Sequence, residues 1–395
     1  MDLLVHNRVT GFRNLLLGKE SFSWSDSSAS EVTYGFTSDH RSVEPLFKLF
    51  NIEISPLAPE KYLKAMKACG VDIAPWNMVI PKKHFKQLFQ RFVQDLQQGM
   101  SALDNLSYTE VYTESNKLFS RLAHSRVDLD MCKSILAKDE NHILKSILGM
   151  SSSGYAPIPM YDRVSTKTGR LTIKAGPQVL TLKKEYRSVF IPSSPNTALY
   201  EIDFSSLEPR VASNLASRDV VQDVYTSFIK QAGLDVCRDV AKLAVLCSLY
   251  GASKYSLEKQ LKNQKSNVTA LQLMKSVKEY FCVDGLTGIL RSQSRDKGVI
   301  SNYFDRPIVV DDARDSILIN NFLQSTAVDI SLLGFEEFTR IFHNEVTPLF
   351  VIHDALIFEA DPSKISRVNE YLYEGFKIKG LGNFPLKITE LKKNG

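Results

Sequence analysis

The period of apolar positions changes several times along the chain, and each change marks an element. LYEIDFSSLEPRVAS (199–213) opens on a short apolar run of strand character that ends at Asp203. Ser205, Ser206 and Glu208 follow where a helix would start, with the serines as candidate caps, so the stretch predicts strand, turn and helix. LFVIHDALIFEA (349–360) sets two intensely β-forming runs around His353-Asp354, the pattern of a hairpin with a two-residue polar turn. Helices are expected from about 215 to 300, a hairpin or strand pair in NYFDRPIVVDD, and a long helix in ILINNFLQSTAVDISLLGFEEFTRIF. A helix near 362–378 and the strand FPLKITEL close the chain.

Upstream, residues 59–150 predict mostly helix. PKKHFKQLFQRFVQDLQQG begins with a proline at a helix entrance and repeats Phe85, Leu88, Phe89 and Phe92 at spacings of three and four. Its other face is expected to carry Lys82, Lys83, Lys86 and Arg91, as either a solvated face or a phosphate-binding one. Residues 1–58 predict a small mixed region: a helix-like start, the serine-rich loop SFSWSDSSAS (21–30), then EVTYGFTS. SSSGYAPIP, from 151, reads as a domain boundary, and strand-like pieces with turn residues follow it.

Composition narrows the class. The 395 residues are 44% hydrophobic and 24% charged, with a formal net charge of +5, as in an ordinary globular protein of two or three domains. That mild basicity is compatible with nucleic acid without demonstrating it. Five widely spaced cysteines without a C-x-x-C pair argue for reduced thiols and against a disulfide frame or structural zinc. No window reaches the roughly 18 apolar residues of a membrane span, and the N-terminus lacks a signal-peptide layout. A soluble protein of the cytoplasm, with no membrane partner, is therefore expected.

Candidate chemistry sits at four places. A carboxylate at the end of a buried strand costs free energy unless it is neutralised, so Asp203 is either a helix cap or a site residue. Asp354 is equally a turn residue when taken alone. Arg238, Lys242, Leu246 and Tyr250 recur every four residues and make one stripe about 18 Å long. Two cations one turn apart, with no acid between them on the stripe, suit a triphosphate, although a helix facing water is the plainer alternative. Tyr250-Gly251 would end that helix with a ring able to stack under a base. Asn320 and Gln324, four apart, are either minor-groove readers or core polar groups. Arg170 in TGRL either belongs to a turn or presents a fork to a base edge or phosphate.

Three segments in fixed order, DFSSLEPRV, RDVAKLAVLCSLYGA and VIHDALIF, closely resemble motifs A, B and C of family A DNA polymerases, and the wording is nearest to the phage replicative branch. TGRL with GPQVLTL and RSVFIP, NNFLQSTAVD and FPLKITEL are similar to further segments of that family. The resemblance covers about 150–395. It implies an α+β right-hand fold: thumb at 59–150, palm at 151–213 and 305–395, fingers at 214–304, with 1–58 unassigned. It implies a monomeric DNA polymerase adding dNTPs to primer-template DNA with two Mg²⁺ ions, for which Mn²⁺ could substitute, and any processivity partner is left open.

By the same resemblance, Asp203, Asp354 and the backbone carbonyl of Phe204 would hold metal, and Glu208 would exclude ribose. Arg238 and Lys242 would bind the triphosphate, with Lys242 also a candidate proton donor to pyrophosphate. Leu246, Tyr250 and Tyr225 would line the nucleotide. Arg170, Asn320, Gln324, His353 and Gly251 would contact DNA. Departures are Ala355 where an acid often follows motif C, Leu246 in place of an aromatic, Ser206, Pro209 and Tyr225. No D-x-E motif precedes 150, so no proofreading is expected of this chain. The alternatives are an RNA polymerase or primase of the same superfamily, or an inactive DNA-binding protein.

Overall fold

The computed structural model describes all residues except 1–2, 27–33, 37–41, 56–59, 71–79, 219–222, 263–266, 312–313 and 392–395. The chain divides into two compact units, Met1–Lys117 and Leu118–Gly395.

The second unit is built on a four-stranded antiparallel sheet. Its strands are β1 (Ala198–Phe204), β2 (Val346–Ile352), β3 (Ala355–Ala360) and β4 (Leu386–Glu390), in the order β2-β3-β1-β4. Side chains alternate faces along a strand. Tyr200, Ile202 and Phe204 therefore enter one large core, whereas Leu199 enters a smaller one with Leu349, Phe350 and Ile357. Helices Leu129–Leu136 and His142–Met150 close the smaller core through Cys132, Ile143, Leu144 and Ile147. Residues 118–150 thus pack with the sheet, and the division falls inside the segment expected as a single thumb, not at 58 or 150.

The other face carries α1 (Leu207–Leu215) and the long α4 (Asp315–Ile341). Gly334 lets α4 press on the sheet, because a Cβ there would lie 2.7 Å from Cζ of Phe204. Helices α2 (Val224–Gln231) and α3 (Arg238–Leu249) precede three more, Lys254–Leu261, Ala270–Tyr280 and Val283–Lys297, so the expected helical run is present. The expected hairpin of β2 with β3 forms, whereas the strand pair expected within NYFDRPIVVDD joins Val299–Ser301, upstream of that stretch, to Pro307–Val309, and 302–306 connect them. The closing helix is shorter than expected: Ile365–Glu374 stops at Gly375, and Phe376–Ile378 is a strand. Gly375 ends it because its φ of 78° is a conformation side chains resist.

Two polar arrangements lock this unit. The Tyr161 hydroxyl donates to the Val351 carbonyl at 2.8 Å and accepts from the Val351 amide at 2.8 Å, satisfying both groups on edge strand β2. Arg163 pairs with Asp329 of α4, both almost fully buried. Asn302 joins them, donating to Ser325 at 3.0 Å and to Asp329 at 2.6 Å, and Arg306 donates to the Arg163 carbonyl at 2.9 Å. This network fixes the 163–170 loop, since a Cβ on Gly169 would lie 3.0 Å from the Arg306 guanidinium carbon.

The first unit has its own sheet, in the order Phe22–Ser25, Asn14–Leu17, Leu3–Val5, Tyr34–Phe36, with the last pair parallel. Leu3, Val5, Leu15 and Leu17 form its centre, and Phe89, Phe92, Val93 and Leu96 of helix Lys82–Asp104 are buried with them in the unit. The helix-like start is therefore mostly strand, and Phe22–Ser25 of the expected serine loop is a strand too; residues 27–30 of that loop lie outside the described residues. Leu3–Val5 and Asn14–Leu17 are short apolar runs that fit a sheet by pairing with each other, Leu3 opposite Leu17 and Val5 opposite Leu15.

Removing one partner of the buried pair strands a charge. Asp329→Ala should lower stability by about 3–5 kcal/mol in denaturant unfolding. The double replacement Arg163→Met, Asp329→Leu should lose much less; equal losses would contradict this account.

Candidate active site

Strand register places the carboxylates. Asp203 lies opposite Ala355 on β3 and opposite Lys387 on β4. Asp354 immediately precedes Ala355, in the tight turn from β2 to β3 where His353 takes a left-handed φ of 54°. The two acids therefore stand at the same end of neighbouring central strands. Partial loss of water pushes the Asp203 carboxyl up to about 7, with the negative charges of Asp354 and Glu201 adding to it and Lys184 and Lys387 opposing it. Its carboxyl still reaches solvent.

Ser206 makes the sharp step from β1 into α1 with a φ of 56°, and it forms no side-chain cap, contrary to expectation. That step puts Glu208 in the first turn of α1, and burial raises its carboxyl despite favourable partners. Those partners are the Tyr250 hydroxyl, which donates to Glu208, and Arg170, whose Nη2 lies 3.5 Å away. Burial and the Glu208 charge push the Tyr250 phenol up. Arg170, Glu208, Gln324, His353 and Asp354 line one cleft of about 300 Å³ with Leu171 and α4 residues. Asn320 accepts from Gln324 at 2.7 Å, so these two are paired with each other on one half-buried face.

Helix α3 exposes Arg238, Lys242 and Tyr250 and half-buries Leu246. No acid lies between Arg238 and Lys242 on the stripe, but an acid from another helix serves Arg238. Asp223, the cap of α2, receives Nη2 at 2.7 Å and Nε at 3.2 Å. Burial raises the Asp223 carboxyl, but the bonds from Arg238 and Thr226 outweigh it and hold it below the usual carboxylate range. Lys242 forms no ion pair among the described residues. Tyr225, expected to contact a nucleotide, is 2% exposed. It lies under the Arg238 guanidinium, 5.0 Å from ring centroid to carbon, and supports that cation instead. Gly251 has a φ of 75°, and a Cβ there would lie 2.2 Å from Cβ of Ser316, so packing against α4 accounts for the glycine.

Sequence reasoning missed Asp223, Lys184 and Lys387. Lys387 had a readable signal, an outward position in the closing strand, but its partner appears only through strand pairing. Among the described residues no three His, Cys, Asp or Glu side chains converge to hold an ion. The carboxylates near Asp203 offer oxygen donors and their charge is only partly compensated. That chemistry fits a hard divalent cation that takes its other ligands from phosphate or water.

A palm sheet with two acids at one end, next to a helix presenting cations, is the α+β right-hand polymerase fold. The profile of DNA polymerase family A matches residues 85–389, and the chain belongs to that family. It is 22% identical over 270 residues to DNA polymerase I of Geobacillus stearothermophilus, covering 58% of this chain and 30% of that protein. It is 20% identical over 267 residues to DNA polymerase I of Bacillus caldotenax, with the same coverage. The chain thus spans under a third of the length of these relatives. The polymerase domain of Pol1 from M. smegmatis, solved with DNA primer-template and dNTP, superposes with a TM-score of 0.62 at 14% identity, covering 88% of this chain and 80% of that one. No helix among the described residues is long and apolar enough to cross a membrane.

A carboxyl raised from about 3.9 unfolded to about 7 folded binds more protons in the folded state across that window, so this group's contribution falls as pH rises through it. Asp203→Asn should therefore raise the melting temperature at pH 8 in EDTA and change it far less at pH 4. Equal shifts at both pH values would contradict the crowding of Asp203.

Proposed function

We propose that this chain is a template-directed DNA polymerase that adds dNTPs to a primer 3′ end. The observation that carries the reading is the meeting of Asp203, on β1, with Asp354, in the turn that enters the adjacent strand β3, beside a cleft lined by Glu208 and Arg170. Palm at 151–213 and 305–395, fingers at 214–304 and a thumb at 59–150, with 1–58 unassigned, belong to the same reading.

Asp203, Asp354 and the Phe204 carbonyl would hold two Mg²⁺, or Mn²⁺ in their place. Such ions, when bound, would supply the charge that activates a 3′-hydroxyl and stabilises departing pyrophosphate. The remaining work falls to the chain's own side chains. Arg238 and Lys242 grip the triphosphate, Arg238 leaving Asp223 to do so, and Lys242 is placed to give a proton to the leaving pyrophosphate. Glu208, held by Tyr250 and Arg170, fills the space a ribose 2′-hydroxyl would need and so selects deoxyribose. Arg170, Asn320 and Gln324 read minor-groove acceptors at the primer end, and His353 contacts the primer terminus. Leu246 and Tyr250 bound the nucleotide, and Tyr225 steadies Arg238 from below. Ala355 leaves the site one acid short of the usual family pattern. Two carboxylates with substrate phosphates still suffice for the donor set.

Primer extension on a defined template tests this. Asp203→Asn and Asp354→Asn should each cut the rate by about a thousandfold or more, some 4 kcal/mol of barrier, while primer-template binding is retained. Normal extension by either variant would remove the site assignment. Glu208→Ala should narrow the preference for dNTPs over rNTPs by about tenfold or more. A wild-type preference for rNTPs would overturn the choice of DNA synthesis.

A further inference from the structure

The first unit carries a surface that the proposed chemistry does not use. Strand Phe22–Ser25 is the sheet's edge, and Phe22 and Trp24 overhang the core there, opposite buried Leu17 and Leu15. The rings continue in a chain. Phe12 meets Trp24 at 4.5 Å between centroids, Trp24 stacks on Phe89 at 5.7 Å, and Phe89 stacks on Phe85 at 5.6 Å. Phe22 meets Phe89 edge-on. Phe12 is 52% exposed and Phe22 49%, and Trp24 and Phe85 are half-buried. A buried ring inside the chain thus holds exposed rings at both ends.

Charge says what covers these rings. The helix Lys82–Asp104 does not segregate its lysines from its aromatics as expected. Lys82 precedes Phe85 by three residues and Lys86 precedes Phe89 by three, so both flank the ring face. Lys83 stands beside them, and no acid occurs between 81 and 94. Among the described residues none of Lys82, Lys83 and Lys86 has an ion-pair partner. They stand at the helix end whose dipole already repels cations, so the arrangement is unfavourable until an anion arrives. Rings open on a face, bordered by unpaired cations, match a polymer of flat bases on a phosphate backbone. A purely apolar partner would leave the lysines unused.

We propose that Phe12, Phe22, Trp24 and Phe85, with Lys82 and Lys86, form a stacking platform for single-stranded DNA. The platform lies wholly in the first unit, so its failure and a failure of catalysis are separately readable. Full-length protein with Trp76→Phe keeps Trp24 as its one tryptophan. It is titrated with dT16 while primer-template with a one-nucleotide overhang saturates the catalytic cleft. Trp24 fluorescence should be quenched. Lys82→Ala with Lys86→Ala should weaken binding about tenfold and lower the salt slope by about 1.4. Anisotropy of labelled dT16 on otherwise wild-type protein carrying Phe12→Ala and Phe22→Ala gives the same reading without the tryptophan change, and binding should weaken there too. Absence of quenching and of binding overturns the platform. So does binding indifferent to these substitutions, tighter binding of rU16 than of dT16, or self-association that dT16 does not compete with.

Discussion

Two like charges held together and only partly offset by neighbouring lysines are the constraint around which the larger unit is arranged. Strand register alone brings Asp203 beside the Asp354 turn, and neither can withdraw without breaking the central pairs of the sheet. The sheet is apolar on both faces for most of its length. At this end Asp203 and Asp354 are exposed, leaving oxygen atoms where a cation could enter. The energy that keeps the acids close is therefore spread through burial of Tyr200, Ile202, Phe358 and their neighbours and not localised at the site. Lys184 and Lys387 offset part of the repulsion and leave part of it.

Around that pair, rigidity falls off in steps. The Arg163–Asp329–Asn302–Arg306 network is buried and locks the loop that ends in Arg170 onto α4. Buried ionic networks are poor sources of net stability, but they select one arrangement over others. Arg170 itself is exposed and reaches Glu208 at 3.5 Å, so the network serves as an anchor for a guanidinium that remains free to meet a ligand. Tyr250 closes the same carboxylate from the other side and thereby ties the end of α3 to the start of α1.

Arg238 shows how a local pattern can mislead about charge compensation. On the stripe of α3 that carries it no acid stands between the cations, and the stripe looks uncompensated. In the fold, the cap of α2 supplies Asp223, and Tyr225 supplies a ring beneath. An exposed ion pair of this kind contributes little stability, typically about 0–1 kcal/mol. The pair holds the guanidinium in a defined place and costs little to separate.

The order of strands and helices in the second unit, the two-residue turn at His353-Asp354 and the residues that line the cleft were legible in the chain itself. Local period, turn chemistry and three ordered motifs carry that information without reference to distant contacts. The sheet of the first unit was not legible, because Leu3–Val5 and Asn14–Leu17 are too short to show a period and become strands only by pairing with each other. Nor could local pattern find Asp223 for Arg238, Lys387 for Asp203, or the burial of Tyr225. Those depend on which strand lies beside which and on how much water is left around a charge. Both are set by long-range packing, which a single stretch of residues does not encode.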